Sequence, residues 1–221
     1  MKILLVAINA KYIHSNLAVY CLKSYAAKRG IEVELTEYTI NHRRDDILMD
    51  IYQRKPDVVA FSCYIWNISY VKNLIREVHN VDGIERIRLG SLEPRIVTDG
   101  FAAALAGLPK ICPHFHLSLQ SGCDATLQRM NRRYDTREYE EGCQILRKYF
   151  DHPAITTDVI VGFPGETEEE FAVTKEYLKR IHFYEMHIFQ YSKREGTKAA
   201  VMEHQVPEPV KKERSNIPVS Y

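Results

Sequence analysis

HFHLSLQSG (residues 114–122) and TTDVIVGFPGET (residues 156–167) are two strand-like runs that each lead into glycine-rich or polar residues. A helix-like run follows each of them, and this strand-then-helix order is typical of parallel α/β folds. In such folds, ligand sites form where the strands end. The sequence therefore predicts that any chemistry of this chain lies at the ends of these two strands.

Polar residues occupy one face of both runs, because side chains of a strand alternate with period two. Phe115, Leu117 and Leu119 share one face, and the opposite face carries His116, Ser118, Gln120 and, in the second run, Asp158. Both faces of a parallel sheet are normally covered and apolar. A buried polar group without a partner costs about 1–3 kcal/mol. The pattern predicts that a polar ligand contacts this face; a half-open antiparallel sheet with one wet face is the alternative.

The first 82 residues predict half of a doubly wound, flavodoxin-like domain. Strand-like runs cover residues 2–8, 31–38 and 57–63, and a helical pattern follows each of them. The first helix is expected to start at Ser15. This β-α-β-α-β-α order predicts an α/β fold with a mostly parallel sheet.

The same strand and helix alternation continues after residue 82. Thr98 is expected to cap an alanine-rich helix, and Thr167 with Glu170 forms the capping-box pattern of a helix that runs to about Ile181. Further helices are predicted from Asp124 to Met130 and from Thr136 to Tyr149, with a last strand over residues 185–197. Residues 206–221 are charged and contain three prolines, so an irregular tail is expected.

The composition limits the function classes. Thirty basic and 29 acidic residues give a net charge of +1, so any nucleic-acid contact requires a local basic patch. The apolar run after Met1 is too short for a signal peptide or a membrane span, and a cytoplasmic protein without membrane contact is expected. The five cysteines are an odd number in a chain expected to be cytoplasmic, which disfavours a disulfide framework. They include no C-x-x-C pair, so zinc-type spacing is missing and no metal ligands are predicted.

The first 80 residues resemble the N-terminal, cobalamin-binding-like domain of some radical S-adenosylmethionine (SAM) proteins. The resemblance is clearest in MKILLVAINAKYIHSNLA and KPDVVAFSCYIWNISYV. Cobalamin ligation in that family uses D-x-H-x-x-G. Tyr12 stands here in place of the aspartate and Leu17 in place of the glycine around His14, so cobalamin binding is not expected.

Residues 84–215 resemble the radical SAM core of the tRNA methylthiotransferases, most closely the branch that acts on threonylcarbamoyladenosine. The matching stretches are RLGSLEP (88–94), CPHFHLSLQSGCD (112–124), RMNRRY (129–134), TTDVIVGFPGETEEEF (156–171) and YSKREGTKAA (191–200). The resemblance implies a partial β/α barrel over residues 83–205, after a cobalamin-binding-like half-Rossmann domain over residues 1–82. It also implies SAM as a cofactor and tRNA as a partner.

A [4Fe–4S] cluster held by C-x-x-x-C-x-x-C is expected for that family, but this motif is absent from the chain. Such clusters need thiolates at close, convergent spacing. We therefore expect that the isolated chain does not cleave SAM, and that a partner protein is one possible source of the missing cluster region.

The resemblance and the strand-end positions together suggest residues that contact SAM: Ser91, Glu93, Ser118, Gln120, Arg132 and Asp158. Arginine suits the SAM carboxylate because its guanidinium pairs bidentately. A satisfied internal hydrogen bond is the alternative for Ser118 and Asp158. Basic residues near the strand ends suggest a local patch for a tRNA backbone: Arg129, Arg133, Lys193 and Arg194. A solvated helix face is the alternative for these.

Three functions remain open from the sequence. The first is a radical SAM tRNA methylthiotransferase-type protein that lacks its own cluster ligands. The second is a non-catalytic module that binds SAM or RNA. The third is a cobalamin-domain radical SAM protein of unknown substrate.

Overall fold

The computed structural model describes residues 1–10, 16–62 and 67–217, and in this part of the chain seven strands alternate with helices. The chain divides into two compact units, Met1–Phe115 and His116–Tyr221. The strands pair in parallel, so the predicted α/β fold with a parallel sheet is confirmed. His14, Ser15 and Cys63 lie outside the described residues.

The first unit is a parallel sheet with helical crossovers. Its elements are β1 (Ile3–Asn9), α1 (Leu17–Ala27), β2 (Val33–Thr39), α2 (Arg44–Arg54), β3 (Val58–Ser62), α3 (Ile68–His79), β4 (Arg86–Leu92), α4 (Asp99–Ala106) and β5 (Ile111–Leu117). The strands β2, β1, β3 and β4 lie side by side in that order. In the register, Ile3 is opposite both Val33 and Val58. An order in which β1 lies between β2 and β3 is that of flavodoxin-like sheets, so the predicted half of a doubly wound sheet is confirmed.

Local sequence signals explain the helices of this unit. Helix α3 buries Val71, Leu74, Ile75 and Val78, which recur at helical spacing. Thr98 caps α4 as expected, since its side chain accepts a hydrogen bond from the Phe101 backbone N–H.

The second unit contains the last two residues of β5, then α5 (Asp124–Arg129), α6 (Thr136–Tyr149), β6 (Ala154–Val161), α7 (Glu168–Ile181), β7 (Glu185–Gln190) and α8 (Glu208–Arg214). Strands β6 and β7 are parallel, with Thr156 opposite Glu185. Gln120, just after β5, forms a parallel bridge with Val159 of β6. The side chains of Phe115, Leu117, Leu119 and Val159 are fully buried, as the alternation predicts.

Helices α6 and α7 begin where the sequence predicts. Both have a complete capping box, in which the N-cap side chain and the glutamate three residues later each accept a backbone hydrogen bond. The N-cap and glutamate are Thr167 and Glu170 for α7, and Asp135 and Glu138 for α6.

Two predictions for the end of the chain are wrong. The last strand ends at Gln190, and residues 191–197 do not continue it. Residues 208–214, which the composition suggested to be irregular, form helix α8. A proline in its first turn suits a helix start, and the buried side chains of Lys211 and Arg214 fix the helix to the rest of the second unit.

The two compact units divide between Phe115 and His116. The sequence-based division at residues 82 and 83 marks where one family pattern gives way to another, and it stays a prediction. Among the described residues, no helix has the length and apolar character needed to cross a membrane.

Candidate functional site

The segment after β5 continues the parallel ladder toward the polar residues of the second unit. The Gln120 backbone N–H donates to the Asp158 carbonyl at 2.8 Å, and the Ile160 N–H donates to the Gln120 carbonyl at 2.8 Å. Gln120 has φ +72°, a left-handed conformation that is uncommon outside glycine and costs about 1–3 kcal/mol. Such backbone strain clusters at functional sites, and here it lies beside Asp158.

Buried tyrosines hold this segment from its apolar side. The Tyr134 hydroxyl lies 2.8 Å from the Ser118 carbonyl and 3.0 Å from the Leu119 carbonyl. The fully buried Tyr139 hydroxyl donates to the Leu117 carbonyl at 2.8 Å, and burial raises the pKa of Tyr139 well above its ordinary value. The end of β5 is therefore fixed by hydrogen bonds before any ligand binds.

A cluster of two histidines and one carboxylate lies on the polar face of β5, β6 and β7. The His116 Nδ1 atom is 3.0 Å from Thr156 Oγ1, and its Nε2 atom is 3.1 Å from Asp158 Oδ2. His187 is opposite Asp158 in the register of β6 and β7, and its ring centroid is 6.0 Å from that of His116. One nitrogen or oxygen atom from each of His116, Asp158 and His187 lies within 4.8 Å of the other two.

The glycine-rich turn after β6 is hydrogen-bonded to a buried glutamate, Glu166. Gly162 and Gly165 have positive φ values of 70° and 79°, which agrees with the turn role that their sequence suggests. The buried Glu166 carboxylate accepts a hydrogen bond from the Gly162 backbone N–H, and it lies 3.3 Å from the Arg214 guanidinium of α8. Burial raises the pKa of the Glu166 carboxyl, although these two donors oppose that shift.

The six residues predicted to contact SAM fall in both units. Ser91 and Glu93 belong to the first unit, where the Glu93 carboxylate accepts hydrogen bonds from the Arg95 backbone N–H and side chain. The other four belong to the second unit: Ser118, Gln120, Arg132 and Asp158. Of these four, Gln120 and Asp158 are adjacent through the ladder, and Arg132 is exposed. The Asp158 carboxylate is hydrogen-bonded to His116, which agrees with the alternative to SAM contact given above, a satisfied internal hydrogen bond.

The four residues predicted to contact RNA have different environments. Arg133, Lys193 and Arg194 are exposed. Arg129 forms an ion pair with Glu170 and lies 3.2 Å from the Thr126 hydroxyl, and the pairing raises its pKa. Its charge therefore ties α5 to the start of α7.

Sequence reasoning left two residues of the cluster, His116 and His187, out of the predicted site. The alternation in the strands already placed His116 on the polar face. The pairing of β7 with β6, which brings His187 opposite Asp158, has no local signal in the sequence.

Comparison with known proteins agrees with the sequence motifs. Residues 45–178 match the model of the Radical SAM superfamily. The chain is 37% identical over 204 residues to a tRNA-2-methylthio-N(6)-dimethylallyladenosine synthase of Acetivibrio thermocellus, which covers 90% of this chain and 42% of that protein. The chain therefore spans less than half the length of this relative.

Two solved structures share the fold. Coproporphyrinogen III oxidase of Escherichia coli has a TM-score of 0.59 at 16% identity, over 97% of this chain and 50% of its own. The radical SAM methyltransferase TsrM of Kitasatospora setae, solved with cobalamin and a [4Fe-4S] cluster, has a TM-score of 0.52 at 17% identity, over 66% of this chain and 30% of its own. The family model covers more than half of the chain, and the motifs, the parallel α/β fold and the polar strand ends agree with it. The chain belongs to the Radical SAM superfamily.

Proposed function

We propose that this chain is the SAM-binding part of a tRNA methylthiotransferase-type protein, which adds a methylthio group to a modified adenosine of tRNA. The observation that carries the proposal is the polar face at the ends of β5 and β6, where Gln120 and Asp158 are held together within the region that matches the family. The name of the Acetivibrio thermocellus relative supports the reaction class. The sequence motifs favour threonylcarbamoyladenosine as the base, and that relative is named for dimethylallyladenosine.

Charge complementarity suggests how SAM would lie on the second unit. The exposed guanidinium of Arg132 suits the SAM carboxylate, and the Asp158 carboxylate suits the amine or the ribose hydroxyls. Ser118 and Gln120 would supply further hydrogen bonds. Ser91 and Glu93 of the first unit remain proposed contacts from the family resemblance.

The Radical SAM family implies SAM and a [4Fe–4S] cluster, but the described cysteines do not fit a cluster site. Cys21 lies on α1, Cys112 on β5, Cys123 just before α5 and Cys143 on α6. Burial raises the pKa of Cys143 to about 12, so this thiol stays protonated, whereas cluster ligands are thiolates. We therefore propose that the chain binds SAM but needs thiolates from outside the described residues, such as those of a partner protein, before SAM can be cleaved.

SAM binding is tested by thermal unfolding and by equilibrium dialysis with SAM. A ligand that binds only the folded state raises the unfolding midpoint. Arg132→Gln should weaken SAM binding by about tenfold to a hundredfold, because hydrogen bonds to charged groups contribute about 1.5–3 kcal/mol. Arg137→Gln is the matched control, since Arg137 is also exposed and its 3.8 Å contact is with Glu141 of the same helix. Equal affinities of both variants would contradict the assignment of Arg132.

Cleavage is tested by anaerobic reconstitution with iron and sulfide, followed by an assay for 5′-deoxyadenosine. We expect no turnover by the isolated chain, and robust turnover would contradict the proposal that its cluster thiolates come from elsewhere.

A non-catalytic module that binds SAM or RNA is the second candidate, and the dispersed positions of the described cysteines favour it. If the chain binds SAM but does not cleave it, even when candidate partner proteins are added, this second candidate is favoured. We do not extend cobalamin binding to this chain, because Tyr12 and Leu17 replace the aspartate and glycine of the ligating pattern. The cytoplasmic location stays a prediction.

A further inference from the structure

We propose that His116, Asp158 and His187 bind a divalent transition-metal ion, separately from any iron–sulfur cluster. The three residues come from the neighbouring strands β5, β6 and β7, and all three residues belong to the second unit. Asp158 and His187 are register partners, and the His116 Nε2 atom faces the Asp158 carboxylate. The metal proposal shares Asp158 with the proposed SAM site but does not rest on SAM binding, because its evidence is the geometry of the three side chains.

The spacing of the ligand atoms fits a metal site. Zinc binds imidazole nitrogen and carboxylate oxygen at about 2.0–2.2 Å, so two ligand atoms of a tetrahedral site lie about 3.3 Å apart. The distance between His116 Nε2 and Asp158 Oδ2 is 3.1 Å, close to that value. All three ligand atoms lie within 4.8 Å of one another, and rotation of the exposed His187 side chain can shorten its distances to the other two.

Thr156 orients the first ligand. Metal-binding histidines usually have their second ring nitrogen hydrogen-bonded, which fixes the tautomer and the ring orientation. The Nδ1 atom of His116 is 3.0 Å from the Thr156 hydroxyl, which leaves Nε2 directed at Asp158. His116 and Asp158 are partly buried, so their side chains have few alternative positions.

The donor set indicates the class of ion. Two imidazoles and one carboxylate suit zinc, ferrous iron and other divalent first-row metals, whereas magnesium and calcium prefer oxygen ligands. Three protein ligands leave at least one coordination position for water or a further ligand. His187 is exposed, so an ion can reach the site from solvent.

The test uses the purified chain after treatment with a chelator, with Zn²⁺ measured by titration calorimetry. We expect one ion per chain. His187→Asn should weaken Zn²⁺ binding by about tenfold or more. The matched control is His152→Asn, because His152 is an exposed histidine beside a carboxylate, 3.7 Å from Asp151, that lies outside the cluster. Asparagine also tolerates the left-handed conformation of His152, φ +44°.

Two more measurements keep the result interpretable. Thr156→Val should weaken Zn²⁺ binding by about tenfold to a hundredfold, as expected for a residue that orients a ligand. Co²⁺ should give visible absorption bands without the near-ultraviolet band of thiolate coordination. Thermal unfolding of each metal-free variant confirms that it is folded.

Three outcomes would overturn the proposal. These are no Zn²⁺ binding by the wild-type chain, equal affinities of the His187 and His152 variants, and a thiolate-to-cobalt band that assigns the ion to cysteine. Because no SAM is present, each of these outcomes leaves the proposed function unaffected.

Discussion

Glu166 lies in the turn before helix α7, and Glu170 lies in the first turn of that helix. The pKa values of their carboxyl groups are shifted in opposite directions. Burial raises the pKa of Glu166, while the hydrogen bond from Arg129 lowers the pKa of Glu170. Both have an ordinary value of 4.5. Proton linkage converts these shifts into a dependence of stability on pH.

We expect Glu166→Gln and Glu170→Gln to change the pH dependence of unfolding with opposite sign. Above pH 4.5 the folded state retains a proton on Glu166 that the unfolded state has lost, so stability from this group falls as pH rises through its folded-state pKa. Glu170 contributes stability above pH 4.5 that is lost as pH falls through its lowered pKa. Urea unfolding from pH 3 to pH 7, as a difference from wild type, measures both. If the difference in unfolding free energy between variant and wild type changes with pH in the same direction for both variants, these assignments are contradicted.

Gly162→Ala should destabilise the chain more than Gly196→Ala. Both glycines have positive φ, 70° and 80°, so alanine costs about 1–2 kcal/mol at either position. A Cβ at Gly162 would lie 2.4 Å from Lys211 Cγ, whereas one at Gly196 meets nothing within 4 Å. The added contact should cost about 1–3 kcal/mol more. Urea unfolding of the two variants measures this difference, and equal losses would show that Lys211 moves away without cost.

At the scale of elements, helix α8 packs against the glycine-rich turn after β6. The side chains of Arg214 and Lys211 are almost fully buried, and the Arg214 guanidinium contacts both the Glu166 carboxylate and the Glu166 carbonyl. Lys211 donates to the Tyr191 carbonyl at 3.1 Å. The helix is therefore part of the packing of the second unit.

At a pH above the raised folded-state pKa of Glu166, Arg214→Met should lower the free energy of unfolding by about 3–5 kcal/mol, because it leaves the buried Glu166 carboxylate without its cation. The double variant Arg214→Met with Glu166→Gln should lose less, since no charge is then left buried. Lys212→Met is the control, because Lys212 is exposed on the same helix, and it should change stability by less than about 0.5 kcal/mol. Denaturant unfolding of wild type, Arg214→Met, Glu166→Gln, the double variant and Lys212→Met supplies the values for this comparison. Additive losses in the double variant would contradict the coupling.

At the scale of the whole molecule, the net charge of +1 provides no general attraction for nucleic acid, so the proposed tRNA binding would have to depend on local charge. We expect the triple variant Arg133→Gln, Lys193→Gln and Arg194→Gln to weaken tRNA binding. The slope of log affinity against log salt should fall by up to about 2–3, because each phosphate contact contributes about 0.7–0.9. Filter binding over a salt series measures both quantities.

The control for charge alone removes three exposed cations of the first unit, Lys23, Lys28 and Arg76. Net charge changes equally in the two triple variants. Equal losses of tRNA affinity would therefore indicate a general charge effect and contradict a local patch.

Local chemistry was enough to predict much of the fold. The capping box of Thr167 and Glu170, the Thr98 cap and the Thr136–Tyr149 helix depend on residues a few positions apart, so their signals lie within short windows of sequence. The alternation around Phe115 and Leu117 likewise predicted which side chains are buried. The family motifs carried the SAM-binding expectation, and the absence of a cluster motif is itself visible in the sequence.

The sequence did not predict the contacts between distant segments, which only the tertiary structure shows. His116, Asp158 and His187 are brought together by the order and register of three strands, and Arg214 reaches Glu166 because α8 packs on the turn after β6. Composition alone suggested that residues 208–214 were irregular, because charged side chains are usually exposed to solvent. The structure shows instead that Lys211 and Arg214 are buried and that Arg214 pairs with Glu166. The physical reason is range: hydrogen bonds within one turn are encoded by neighbouring residues, whereas sheet register and the pairing of buried charges depend on the packing of the whole unit.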